Sequence, residues 1–152
     1  MKMVSPTVLL FALALTAGAV AAPVKPFEMR LVIDCAAGAK PIAYRHQASQ
    51  EDLCLAPGVI LSRADIKAAE LVHTGYGTEA ARIFITGEAV DRLAAATTAN
   101  TGKRFAFVYD GRIVTAPMVM EPITGNQLEI DEGSSGDSIE DMVTDLGSGR
   151  IP

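Results

Sequence analysis

Hydrophobic and polar positions along this chain repeat with two periods, and the switches between them mark its elements. After a short linker at 23–27, the run at 29–33 (MRLVI) is β-rich and predicts a strand. Residues 34–57 show neither period. Gly38, Pro41, a polar run over 45–52 and then Cys54-Leu55-Ala56-Pro57 read as one long irregular loop that needs an anchor. Ser62, with Asp65 three residues on, predicts a helix start of a turn or two. Residues 70–74 and 80–86 flank Gly75-Tyr76-Gly77 and predict a hairpin. Thr86 then caps a helix over 88–100. Its apolar stripe (Val90, Leu93, Ala94, Thr97) recurs at i, i+3, i+4 and i+7, and Gly102 stops it.

The strongest local signal is FAFVY and RIVTAP joined by Asp110-Gly111. A two-residue type I′ turn needs positive φ at both positions, which Asp tolerates and Gly adopts freely. In such a strand Phe105, Phe107 and Tyr109 share one face and Ala106 and Val108 the other, and the aromatic ladder reads as core. Pro117, lacking a donor, ends the second strand. Met118, Val119 and Met120 cannot all turn inward. Met118 and Met120 are therefore a candidate partner surface, since flexible thioethers adapt to varied apolar shapes; loop filling is the plainer alternative. A strand over 127–130 follows. Asp137 with Glu140 forms a capping box for a last helix whose inner face is Ile139, Met142, Val143 and Leu146, closed by Gly147. Hairpins and helices alternate without long crossovers. The expected fold class is α+β: a mostly antiparallel sheet with two or three helices packed on one face, ferredoxin-like in style.

Residues 1–21 stand apart from this pattern. Lys2, an apolar stretch over 8–15 and a small-residue end, Ala19-Val20-Ala21, form the three-part pattern of a secretory signal peptide. Cleavage is expected after Ala21, ahead of Ala22, because Pro23 would follow the second bond directly. An uncleaved anchor is the competing reading, but the apolar stretch is short of the roughly 20 residues a bilayer needs. Export bears on the two cysteines. In an oxidising compartment Cys35 and Cys54 most simply make one bridge that anchors the long loop; a redox-active pair would ordinarily be closer in sequence. The expected division is a signal peptide at 1–21, a strand and disulfide-anchored loop at 22–60, and an α+β domain at 61–152.

The 152 residues carry 13 basic and 18 acidic side chains, a formal charge of −5. That balance argues against a nucleic-acid partner, which would demand many phosphate-neutralising cations. Chemistry is scarce as well. His46 and His73 lack a triad context, and Ser134 and Ser135 lie in a Gly-Ser-Ser-Gly stretch and not at a strand-to-helix elbow. Glu129, Asp131, Glu132 and Asp137 miss the spacing of a calcium loop. No catalytic residue, metal or cofactor is expected.

Several pieces in order carry a family likeness: Ile85-Thr86, then Thr98-Ala99-Asn100-Thr101-Gly102-Lys103-Arg104, then Asp110-Gly111, Thr115-Ala116-Pro117 and Glu121-Pro122-Ile123-Thr124-Gly125. Leu61-Ser62 with Asp65-Ile66 and Ala69 lies upstream, and a Leu-Gly-Ser-Gly-Arg-Ile-Pro ending lies downstream. This order resembles the head part of the first periplasmic domain of SecD, the auxiliary subunit of the bacterial protein-export translocon. The resemblance runs from about Leu61 to Pro152 and makes Asp110, Gly111, Pro117, Pro122 and Gly125 the motif turn residues. SecD-type subunits carry several transmembrane helices and couple export to the proton gradient. This chain shows no such helix after its leader, so it resembles a stand-alone secreted relative of the head domain. The likeness implies a non-catalytic periplasmic (or extracellular) domain linked to protein export that binds unfolded or exported polypeptide or an envelope protein. A small enzyme with a site assembled around His46 or His73, and a self-associating structural domain or homodimer, are the alternatives.

Overall fold

The structure, a computed structural model, describes residues 23–46, 49–131 and 139–148. In chain order its strands are β1 (Phe27–Ile33), β2 (Ile42–His46), β3 (Ser49–Ser62), β4 (Ile66–His73), β5 (Glu79–Ile85), β6 (Phe105–Tyr109), β7 (Arg112–Thr115) and β8 (Gln127–Asp131). Helix α1 (Gly87–Ala99) joins β5 to β6, and α2 (Ile139–Ser148) follows β8. The signal-peptide reading of 1–21, the Asp137 cap, Glu132, Ser134 and Ser135 lie outside the described residues.

The α+β class and antiparallel pairing hold, but the strands form two sheets and not one, ordered β2-β3-β1-β6-β7 and β4-β5-β8. The reason lies in β6, where all five residues are buried. Phe105, Phe107 and Tyr109 face the larger core with Phe27 and Met29 of β1, Leu93 of α1, Ile83 of β5 and Ile139 and Met142 of α2. Ala106 and Val108 face a second, smaller core with Tyr44, Leu53 and Ile113. The five-stranded sheet curls over that second face until its edge strands β2 and β7 approach each other. A strand buried on both faces needs cover on both, and a single sheet with helices on one side cannot supply it.

The long loop expected at 34–57 is the clearest correction. It contains β2 and most of β3, paired from Ile42↔Leu53 to His46↔Ser49. Pro57 and Gly58 do not break β3, because β1 and β3 shift register between Arg30↔Val59 and Val32↔Leu55. Proline is tolerated in a ladder at such a bulge, where its missing N–H is not required. The Arg30 guanidinium faces the bulge, donating to the Ala56 and Pro57 carbonyls at 3.4 and 3.3 Å. The expected anchor is present: Cys35 and Cys54 form a disulfide, with Cα atoms 5.2 Å apart.

Other signals hold with small shifts. Asp110 and Gly111 both take positive φ, at 50° and 77°, as the turn requires. Thr86 caps α1 by accepting from the Ala89 N–H at 3.4 Å. The helix start at Ser62 is a single 3₁₀ turn, Arg63–Asp65, in which Asp65 Oδ2 accepts from the Ser62 N–H at 2.8 Å. Strand β4 then begins at Ile66 and not near 70. Gly147 sits inside α2 and does not end it. A Cβ there would stand 3.2 Å from the Ala69 carbonyl oxygen, so glycine lets α2 lie close against β4.

Three arginines clamp these layers. Arg92 of α1 reaches Asp65 Oδ1 at 2.6 Å and the Ile60 carbonyl at 2.8 Å. Arg82 lies between Glu70 and Glu129 on the outer face of the small sheet. Arg63 and the Tyr109 hydroxyl both donate to Asp145 Oδ2, at 2.6 and 3.0 Å, fastening α2 to the end of β6.

Burial and the bond to Asp145 push the Tyr109 phenol up to about 12. The folded protein thus keeps that proton where the unfolded chain releases it near pH 10. The stabilisation is complete below pH 10 and should fall progressively between 10 and 12. Unfolding free energies measured across that range, compared with Tyr109→Phe, should show a steeper decline in the parent chain. The Cys35–Cys54 bridge spans 19 residues. Its removal in C35A/C54A should lower the urea unfolding free energy by about 3 kcal/mol through loop-closure entropy.

Candidate binding surface

The surface around Met118 is built by backbone pairing that outlasts β7. Beyond the end of α1, Gly102 takes φ +80°, a conformation that costs glycine nothing. From there the chain pairs with the segment after Pro117. The Gly102 N–H donates to the Val119 carbonyl at 2.7 Å, the Val119 N–H to the Lys103 carbonyl at 3.0 Å, and the Phe105 N–H to the Pro117 carbonyl at 3.0 Å. Pro117 ends β7 as a donor yet serves as an acceptor. The resulting period of two drives Val119 into the core at 8% exposure and leaves Met118 and Met120 outside, at 57% and 65%.

Across from Met118 runs the C-terminal end of β1. Leu31, Val32, Ile33 and Asp34 form one wall of an open groove of about 430 Å³, with Gly102, Lys103, Arg104 and Met118 as the other. Its two walls are bonded where the Val32 N–H reaches the Arg104 carbonyl at 2.9 Å. Ile33 stands 42% exposed, so two large apolar side chains line one channel. The Cys35 bridge to β3 begins two residues past Ile33.

Arg104 connects this groove to the β2–β3 hairpin. Its Nε donates to the Ala116 carbonyl at 3.0 Å and its Nη2 to Glu51 Oε1 at 2.8 Å. The guanidinium also lies 5.7 Å from the centre of the Tyr44 ring, within cation–π range. The hydrogen bond from Arg104 holds the Glu51 carboxyl below its usual value, against a smaller opposing effect of burial. On the far side of Arg104, a second open groove of about 350 Å³ is lined by Tyr44, His46, Ser49, Glu51, Pro117 and Asp131 among others.

The remaining site expectations fall elsewhere. Asp110 and Gly111 turn the chain at the opposite end of β6 from Arg104. The stretch holding Pro122 and Gly125 is pinned to α1, where the Ile123 N–H donates to the buried Thr97 hydroxyl at 2.9 Å. The sequence pattern places Thr97 only within an apolar stripe. His46 and His73 are on different sheets: His46 Nδ1 is 3.4 Å from the Tyr44 hydroxyl, and His73 Nε2 is 3.8 Å from Glu79 Oε1 in solvent. Among the described residues, no three His, Cys, Asp or Glu side chains gather as a metal-ligand set, and no helix is long and apolar enough to cross a membrane. Sequence reasoning missed Ile33, Tyr44, Glu51 and Arg104. Arg104 lies within the Gly-Lys-Arg stretch of the family likeness, but its partners lie on the β2–β3 hairpin, whose sequence reads as a loop.

Comparison with known proteins gives a consistent picture. The family profile of the SecDF P1 head subdomain matches residues 40–152, taking in β2 and β3 as well as the motif region. The protein translocase subunit SecDF of Thermus thermophilus is 34% identical over 93 residues, covering 61% of this chain and 13% of that protein. The protein translocase subunit SecD of Acidaminococcus fermentans is 28% identical over 93 residues, covering 61% of this chain and 22% of its own length. This chain therefore spans under a quarter of either relative. A solved structure of SecDF, described as a membrane component that enhances protein export, superimposes with a TM-score of 0.64 at 28% identity, covering 84% of this chain and 64% of that one.

Arg104 predicts a local effect. Arg104→Met removes a charged hydrogen bond and a ring contact that are both partly solvated, worth about 1 kcal/mol together. Amide hydrogen exchange in β2 should then speed up roughly fivefold while α1 stays unchanged. Equal acceleration in both elements would mean that Arg104 supports the whole fold and not the hairpin.

Proposed function

This chain belongs to the SecDF P1 head subdomain family, and from that membership we propose that it is a non-catalytic periplasmic module that serves protein export by holding extended polypeptide. The observation that carries the reading is the open groove lined by the end of β1, the 102–104 segment and Met118, with Met118 and Ile33 both exposed at it. Apolar side chains on an open surface suit sequence-tolerant recognition: contacts come from thioether and aliphatic surface, and the unbranched methionine adjusts to whichever residue passes. The open form of the channel favours a chain that lies along it over a small molecule enclosed within it.

The enzyme alternative finds less support. His73 and Glu79 lie on an exposed hairpin end, and His46 faces an open groove with two carboxylates in its lining, Asp131 and a Glu51 already engaged by Arg104. The same engagement gives Arg104 its place in the proposal, as the residue that keeps the hairpin seated beside the channel.

The test uses the purified full chain and a fluorescent, extended, apolar-rich peptide. A photoreactive side chain at position 118 should capture the peptide, whereas one at Tyr76, itself 97% exposed but on the distant hairpin turn, should not. M118E/M120E should weaken peptide affinity at least tenfold, about 1.4 kcal/mol, without lowering the melting temperature, since both side chains lie outside the core. Equal capture at both positions, or unchanged affinity in the double variant, would overturn the proposal.

A further inference from the structure

The described residues contain four methionines in two sharply different settings. Met29 and Met142 are sealed in the larger core, at 0% and 1% exposure, while Met118 and Met120 project into solvent beside the channel. The difference is enforced by backbone geometry: Val119 is held between them by hydrogen bonds from its N–H and to its carbonyl, so the two thioethers must share the outer side. We infer that Met118 and Met120 are a paired, reversible oxidation site that switches off the apolar character of this surface.

In this reaction a hydroperoxide transfers its terminal oxygen to the thioether sulfur. The O–O bond breaks as the S–O bond forms, the sulfur gives up two electrons, and the peroxide leaves as the alcohol, or as water when the oxidant is hydrogen peroxide. The product sulfoxide is polar and chiral, and it can be returned to the thioether by methionine sulfoxide reductases, one enzyme for each epimer. Neither exposed methionine supplies core packing, so the fold should survive the modification. Only the channel rim changes, from a soft apolar edge to one that a passing apolar segment must desolvate. This inference rests on the polypeptide-binding reading for its consequence, though the site itself does not.

The experiment treats the purified full chain with hydrogen peroxide and follows each methionine by peptide mass spectrometry. Met118 and Met120 should convert at least tenfold faster than Met29 and Met142. The same samples are then titrated with the fluorescent apolar-rich peptide. Affinity should fall at least tenfold in step with oxidation at 118 and 120, the melting temperature should stay within a few degrees, and treatment with both sulfoxide reductases should restore binding. Comparable oxidation of the buried methionines would overturn the site. Full conversion at 118 and 120 with unchanged peptide affinity would overturn the switch. If the untreated chain fails to bind peptide at all, the polypeptide-binding reading falls together with the switch, while the oxidation rates still decide whether the pair is the reactive site.

Discussion

The two-sided burial of strand β6 is the constraint on which the other features depend. Its odd-numbered aromatics fill the space against α1, α2 and the small sheet, and its small even-numbered residues, Ala106 and Val108, allow β2 and β3 to close over the back. Size matters on each side. Bulky residues at 106 or 108 would hold the hairpin away, and small ones at 105 or 107 would leave cavities in the main core. Hydrogen bonding follows from this position. Strand β6 pairs with β1 from Phe27↔Tyr109 to Leu31↔Phe105 and with β7 on its other side, so both of its edges are bonded within the five-stranded sheet.

The candidate surface is a by-product of how β6 begins. At its start the chain has just left α1 through Gly102, and β7 has just ended at Pro117, so the two segments pair for a few residues beyond the sheet. That extension has core on one side only. Val119 takes the inward position, leaving the flanking methionines with nothing to cover them. The opposite wall exists because β1 runs past Phe105, the first residue of β6, toward the disulfide. An apolar channel thus arises from a mismatch in strand lengths, and Arg104 uses the same junction to fasten the hairpin through Glu51 and Tyr44.

Legibility in the sequence varied with how local each determinant was. The Asp110-Gly111 turn and the Thr86 cap depend on neighbours a few residues away, and both appear where the pattern places them, whereas the split of Met118 and Met120 from Val119 comes from pairing with the 102–105 segment. The β2–β3 hairpin failed this reading for a physical reason. Its polar run faces solvent on one side, its apolar side is only half-filled, and Pro57-Gly58 imitates a break that the bulge absorbs with help from Arg30. Gly147 misled in the same way: its role is set by the Ala69 carbonyl on another element and not by the end of its own helix.

By itself, then, the sequence determined the local geometry: which residues turn, which faces alternate, and where α1 begins. These follow from φ preferences, capping bonds and side-chain periodicity, which act within a turn or two of chain. Only the tertiary structure decided that there are two sheets and two cores, that the end of β1 and Met118 line one groove, and that Arg104 reaches a hairpin over 50 residues earlier. Those outcomes depend on which surfaces must be covered once distant segments meet. Burial of that kind is a property of the packed assembly, and no short window of sequence contains it.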